Sequence, residues 1–87
     1  MNTNITPEAL LKGMALNLSL LSSILKNAAA ESTEAFNLIE SSGCNAAMGA
    51  SFTLSKQLRD ATALHHATVL LHLERQRLLT AKPEVQR

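Results

Sequence analysis

Between Leu11 and Ile39 the chain repeats apolar residues at alternating spacings of three and four. The series is Leu11, Met14, Leu18, Leu21, Leu25, Ala28, Ser32, Ala35 and Ile39, and only Ser32 is polar. This heptad rhythm predicts a long α-helix with one stripe laid along another helix. Ser41-Ser42-Gly43 then interrupts the pattern. A long helix, a stop and a second apolar stretch predict an antiparallel helical hairpin in an all-α chain.

The side chains available for a core support that fold class. Apolar residues make up 46% of the 87, yet Trp and Tyr are absent and Phe36 and Phe52 are the only aromatics. A core of Leu, Ala, Ile, Val and Met suits closely packed helices better than a sheet rich in β-branched and aromatic residues. The length allows a single helical domain, and one this small is marginal on its own.

The first helix is expected over about residues 7–41. Thr6-Pro7-Glu8 supplies an N-cap, a proline at the first helical position and a carboxylate near the positive end of the helix dipole. Ser32-Thr33 leaves open a break and a three-helix alternative. Gly43 fits the left-handed position that closes a helix, and Ser42 or Asn45 fits the cap of the next one. The turn is placed at about 42–50 and the second helix at about 51–81, although a start near 45 fits too. Lys82 and Pro83 mark its end, and short disordered tails are expected at residues 1–5 and 83–87.

Folding the two helices back about Gly43 sets residue i of the first roughly opposite residue 86 minus i of the second. Lys12 then meets Glu74, Lys26 meets Asp60, Glu31 meets Lys56 and Glu8 meets Arg77, while the uncharged blocks 13–25 and 61–73 face each other. Opposite charges beside a seam help to set its register, though each exposed pair contributes only ~0–1 kcal/mol.

One partner helix covers one stripe, and both helices carry more. Leu16 and Leu20 lie away from the Leu11–Ile39 series, while Leu10 and Ile24 widen its flank. On the second helix Leu54, Leu58, Ala61, Leu64, Thr68, Leu71 and Leu78 make one face. Ala63, Ala67, Leu70 and Leu73 make another, with Val69 beside them. An apolar stripe left in water is an association surface. The expectation is therefore a homo-oligomer, in its simplest form a dimeric four-helix bundle, with Leu16, Leu20, Leu70 and Leu73 in the oligomer interface.

No constellation for catalysis is legible. His65, His66 and His72 are the most conspicuous polar group, but His65 and His72 are two turns apart, a rise of ~10 Å. A single metal with ligand bonds of ~2 Å does not span that gap, so a metal site would need ligands from another helix or chain. His65 and His72 read more simply as a polar layer or rim. Cys44 is the sole cysteine, which precludes an intrachain disulfide and fits a reducing compartment. It has no neighbouring base to make it a nucleophile. Ser23-x-x-Lys26 matches one acyl-enzyme motif without the S-D-N or K-T-G that accompany it, and Gly43 and Gly49 lack the Gly-Lys-Ser/Thr of a phosphate loop. The Glu31, Glu34 and Glu40 carboxylates read as a solvated helix surface.

Net charge is +1, which gives no global signal for a polyanionic partner. Residues 1–40 hold Glu8, Glu31, Glu34 and Glu40 against Lys12 and Lys26, and the later half is basic, with Arg75, Arg77, Lys82 and Arg87 near its end. Glu74 and Glu84 interrupt that patch and no aromatic is present for base stacking, so nucleic-acid binding is not expected. No basic stretch followed by an apolar run opens the chain, and the uncharged blocks are shorter than the ~20 residues a bilayer requires. A cytoplasmic protein without membrane contact is the expectation, and nothing calls for a cofactor.

Ala47-Met48-Gly49, Phe52 and Gln57, followed by a polar, alanine-rich helix, resemble a short stretch of the bacterial R-body (killing-trait) proteins. The likeness covers about a dozen positions. Where that family has a Gln-rich segment this chain has Leu71-His72-Leu73-Glu74-Arg75, and the chain is not assigned to the family on this ground. The resemblance implies polymeric assembly. Three functions follow in order: a non-enzymatic, self-associating helical protein that binds or regulates a partner protein; a structural subunit of a polymer; and a bundle binding metal through His65 and His72 of facing chains.

Overall fold

The computed structural model describes residues 5–81. It contains two long helices, α1 (Pro7–Ser41) and α2 (Cys44–Thr80), folded against each other as an antiparallel hairpin. The overall dimensions are 70 × 19 × 18 Å. The tails expected at the two ends lie outside the described residues, apart from Ile5.

The start of α1 follows from local chemistry. Thr6 Oγ1 accepts a 3.0 Å hydrogen bond from the Ala9 amide, and Pro7 occupies the first turn, where no amide donor is needed. No break occurs at Ser32-Thr33. α1 is continuous there, and Ser32 Oγ donates to the Ala29 carbonyl within the helix.

The turn is shorter than the sequence suggests. It comprises Ser42 and Gly43 rather than residues 42–50, and α2 begins at Cys44 rather than near residue 51. Alanine is the strongest helix former, so Ala46, Ala47 and Ala50 extend α2 back to the turn and Gly49 is too weak a breaker to stop it. The Ser42 and Gly43 amides both donate to the Leu38 carbonyl, at 2.8 and 2.9 Å. Gly43 has φ +98° and ψ 177° and serves as the N-cap of α2 without any side-chain cap from Ser42 or Asn45. Its φ is positive, but its ψ is extended rather than that of a left-handed helix.

The seam between the helices also differs from the expected one. On α1 it runs through Leu10, Met14, Asn17, Leu21, Ile24, Ala28, Glu31, Ala35 and Leu38, all buried or half-buried. Its α2 counterpart runs through Ala47, Ala50, Leu54, Gln57, Ala61, Leu64, Thr68, Leu71, Arg75 and Leu78. Met14, Leu21, Ala28 and Ala35 thus belong to the seam as expected. Leu11, Leu18, Leu25 and Ile39 do not: they remain 46–52% exposed, and Ser32 is exposed with them. On α2, Leu58 is likewise 53% exposed.

The physical reason is the width of the apolar stripe. α1 is apolar over more of its circumference than one helix can cover, and α2 sits to one side of the centre. There Glu31 finds hydrogen-bond donors, and Gly13 lets α2 approach so closely that a Cβ at Gly13 would meet Leu71 Cδ1 at 3.3 Å. The resulting core is thin. Leu10, Ala28, Ala47, Ala61 and Thr68 are buried, and no large side chain among the described residues is fully so.

The mirrored alignment holds without its ion pairs. Glu31 sits between Thr53 and Gln57, either side of the expected Lys56. Glu31 does not pair with Lys56, which binds Asp60 at 2.7 Å, and Lys26 does not reach Asp60. Nor do Lys12–Glu74 and Glu8–Arg77 form, since Glu74 and Arg77 pair with each other. Partners three or four residues away on the same helix are closer than those across the seam. Lys12 and Lys26 lie on the outer side of α1, exposed.

Candidate interaction face

The residues one step beyond the seam define two unlike flanks. In heptad terms the seam positions are a and d, and the flanks are e and g. The e positions of α1 are Leu11, Leu18, Leu25, Ser32 and Ile39, and those of α2 are Ser51, Leu58, His65, His72 and Leu79. Both sets lie on the same side of the hairpin: Phe36 and Ile39 of α1 line one open groove with Met48 and Ser51 of α2. The six apolar members are all 46–53% exposed, as expected of side chains with one edge against the seam and the other in solvent.

The opposite flank is mixed, with acidic and polar residues set among small and apolar ones. Its g positions are Gly13, Leu20, Asn27 and Glu34 on α1 and Ala46, Thr53, Asp60, Ala67 and Glu74 on α2. No Lys, Arg, Asp or Glu occupies an e position in either helix. A second groove, lined by Leu18, Leu21, Ser22, Leu25 and Ala29 with Lys26 at its rim, continues the e side along the middle of α1. The e side is thus a long apolar surface on an otherwise charged rod.

The four leucines expected in an oligomer interface are left exposed by the hairpin, away from the e flank. Leu16, Leu20, Leu70 and Leu73 are 62%, 49%, 62% and 57% exposed. By heptad position Leu16, Leu20 and Leu70 lie on the g side and Leu73 on the back of α2, so they form a smaller patch among charged neighbours. His65 and His72 are exposed members of the e flank, not a layer inside the hairpin, and His66 is exposed beside them. Among the described residues no group of three or more His, Cys, Asp and Glu is placed to hold a metal ion. Cys44 is an exposed free thiol at the start of α2.

One polar contact inside the seam went unforeseen. Thr53 Oγ1 donates to Glu31 Oε1, and Gln57 Nε2 donates to Glu31 Oε2 at 3.2 Å, while Gln57 Oε1 is buried without a partner. Glu31 is thus a seam residue rather than part of a solvated surface with Glu34 and Glu40, and the signal is its spacing: it continues at intervals of seven the series Leu10, Asn17, Ile24 and Leu38.

The basic end is partly engaged. Arg75 Nε donates to the Pro7 carbonyl at 3.2 Å, which ties the end of α2 to the start of α1. Arg77 pairs with Glu74; its hydrogen bond holds the Glu74 carboxyl below the usual carboxylate range, and Glu74 in turn raises Arg77. Lys82 and Arg87 lie outside the described residues.

By length and composition α1 is apolar enough to cross a membrane, with an 18-residue window of mean hydropathy 1.3. The uninterrupted uncharged blocks are shorter than this window. A window tolerates one or two charges while its mean stays high. Comparisons with protein-family models, with curated proteins and with solved structures find no match.

Proposed function

We propose that this chain is a non-enzymatic helical module that acts through association, first with copies of itself and then with a partner protein that it binds or regulates. The observation that carries the reading is the uncharged e flank, six half-exposed apolar side chains beside a core in which no large side chain among the described residues is fully buried. A water-exposed apolar surface of that extent on a two-helix rod favours association. Sedimentation equilibrium of the full chain across micromolar concentrations tests it. Discrete oligomers are expected, and a well-folded monomer throughout would overturn the reading.

A second reading, a structural subunit of a polymer, is favoured by one specific feature. Leu16, Leu20 and Leu70 form a further apolar patch on the side away from the e flank. Two surfaces on opposite sides allow each copy to bridge two others, whereas a single self-complementary surface closes into a dimer. Growth of mass without limit as concentration rises distinguishes this reading from a discrete dimer.

A further inference from the structure

We infer that the e flank is covered by a second copy of this chain lying antiparallel to the first, the tip of each hairpin over the open end of the other. The inference rests on the self-association reading and adds the side and the orientation.

The first argument is the distribution of polar residues along the flank. Because α1 and α2 run past each other about Gly43, His72 and His65 fall level with the first half of α1 and Ser32 and Ser51 lie toward the tip. Leu25 and Leu58 occupy the middle. A two-fold axis near Leu25 sets Leu11 level with Ile39 of the second copy, and His72 level with its Ser51. His72 and Ser51 are then offered to each other across the interface, a residue i to j and j to i relation that a two-fold interface requires, while Ser32 falls level with Leu18.

The second argument is charge. Residues 31–55, which form the tip, hold Glu31, Glu34 and Glu40 and neither Lys nor Arg. The open end, among the described residues, holds Lys12, Arg75 and Arg77 against Glu8 and Glu74. Antiparallel stacking lays the acidic tip over the basic end, while parallel stacking opposes acidic tips. Such complementarity sets orientation more than affinity.

The natural single cysteine allows a direct test. Spin labels on Cys44 of the wild-type chain, read by pulsed dipolar spectroscopy, are expected at ~50 Å, since 34 helical residues separate the two tips at ~1.5 Å each. A distance below about 20 Å means parallel packing and would overturn the orientation. In parallel, Leu25→Glu and Leu58→Glu, at half-exposed positions, are each expected to halve the sedimenting mass with helicity retained. Leu16→Glu and Leu70→Glu are expected to leave the dimer intact. If the latter pair dissociates the oligomer and the former does not, the side is wrong although self-association stands. A wild-type monomer that floats with phosphatidylcholine–phosphatidylglycerol vesicles would overturn both, leaving lipid as what covers the flank.

Discussion

Gln57 of α2 donates a 3.2 Å hydrogen bond from Nε2 to Glu31 Oε2 of α1, with the other carboxylate oxygen taken by Thr53. A carboxylate in the seam, held by two donors from the facing helix, can be satisfied in one alignment only. It therefore helps to fix how the two helices slide against each other.

Removing one side of that contact should cost more than removing both. Glu31→Ala leaves the Gln57 amide half-buried with neither of its polar atoms paired, and a cost of about 1–3 kcal/mol is expected. The double variant Glu31→Leu/Gln57→Leu should be neutral or stabilising, because an apolar pair replaces a half-satisfied polar one. Urea denaturation at fixed chain concentration measures both. Equal losses in the single and double variants would show that the contact carries no coupling.

The two glycines near the tip should respond in opposite ways. Gly43 has φ +98° with open space around it, so Gly43→Ala is penalised through the backbone alone, by about 1 kcal/mol or more. Gly49 lies within α2, also with open space, and Gly49→Ala should stabilise by up to ~1 kcal/mol through helix propensity. Thermal unfolding at matched concentration decides the signs.

Thr6→Ala should cost about 1 kcal/mol, because it strips the Ala9 amide of its acceptor, and Thr6→Ser should recover most of that. Amide exchange localises the effect: faster exchange at Ala9 without change at Ser42 is the expected pattern.

The Glu74–Arg77 pair predicts a pH dependence with a definite sign. The Glu74 pKa is depressed in the folded chain, so the pair's contribution is present above the ordinary carboxylate value of 4.5 and fades as pH falls through the lower folded value. An NMR titration of the Glu74 carboxyl should show a lower midpoint in the wild type than in Arg77→Gln. The pair is exposed, so salt should reduce the difference.

Much of the hairpin is legible from local chemistry. Thr6-Pro7 announces the start of α1, Ser41-Ser42-Gly43 its end, and the mirrored alignment places Lys56 opposite Glu31, between the observed contacts Thr53 and Gln57. What is not legible is which of two adjacent stripes faces inward. Leu11, Leu18, Leu25 and Ile39 are the more apolar choice, and a chain folding alone would be expected to bury them. The observed seam takes Asn17 and Glu31 inside instead, because donors on α2 and the close approach at Gly13 depend on the partner helix, not on α1. The cross-helix ion pairs fail for a related reason. Charge order along a sequence does not say which neighbour is nearest, and residues on the same helix compete first.

The two-residue link between Ser41 and Cys44 works as a phase key. With no slack, the rotation of α2 about its own axis is tied to that of α1. One inserted residue would turn α2 by ~100° relative to its neighbour. Leu58 and Leu79 would then leave the side shared with Leu18 and Leu25. Surface patterning on both helices would be unchanged, yet the single apolar side would be divided in two. The brevity of this link keeps ten flank positions, drawn from two helices, acting as one surface.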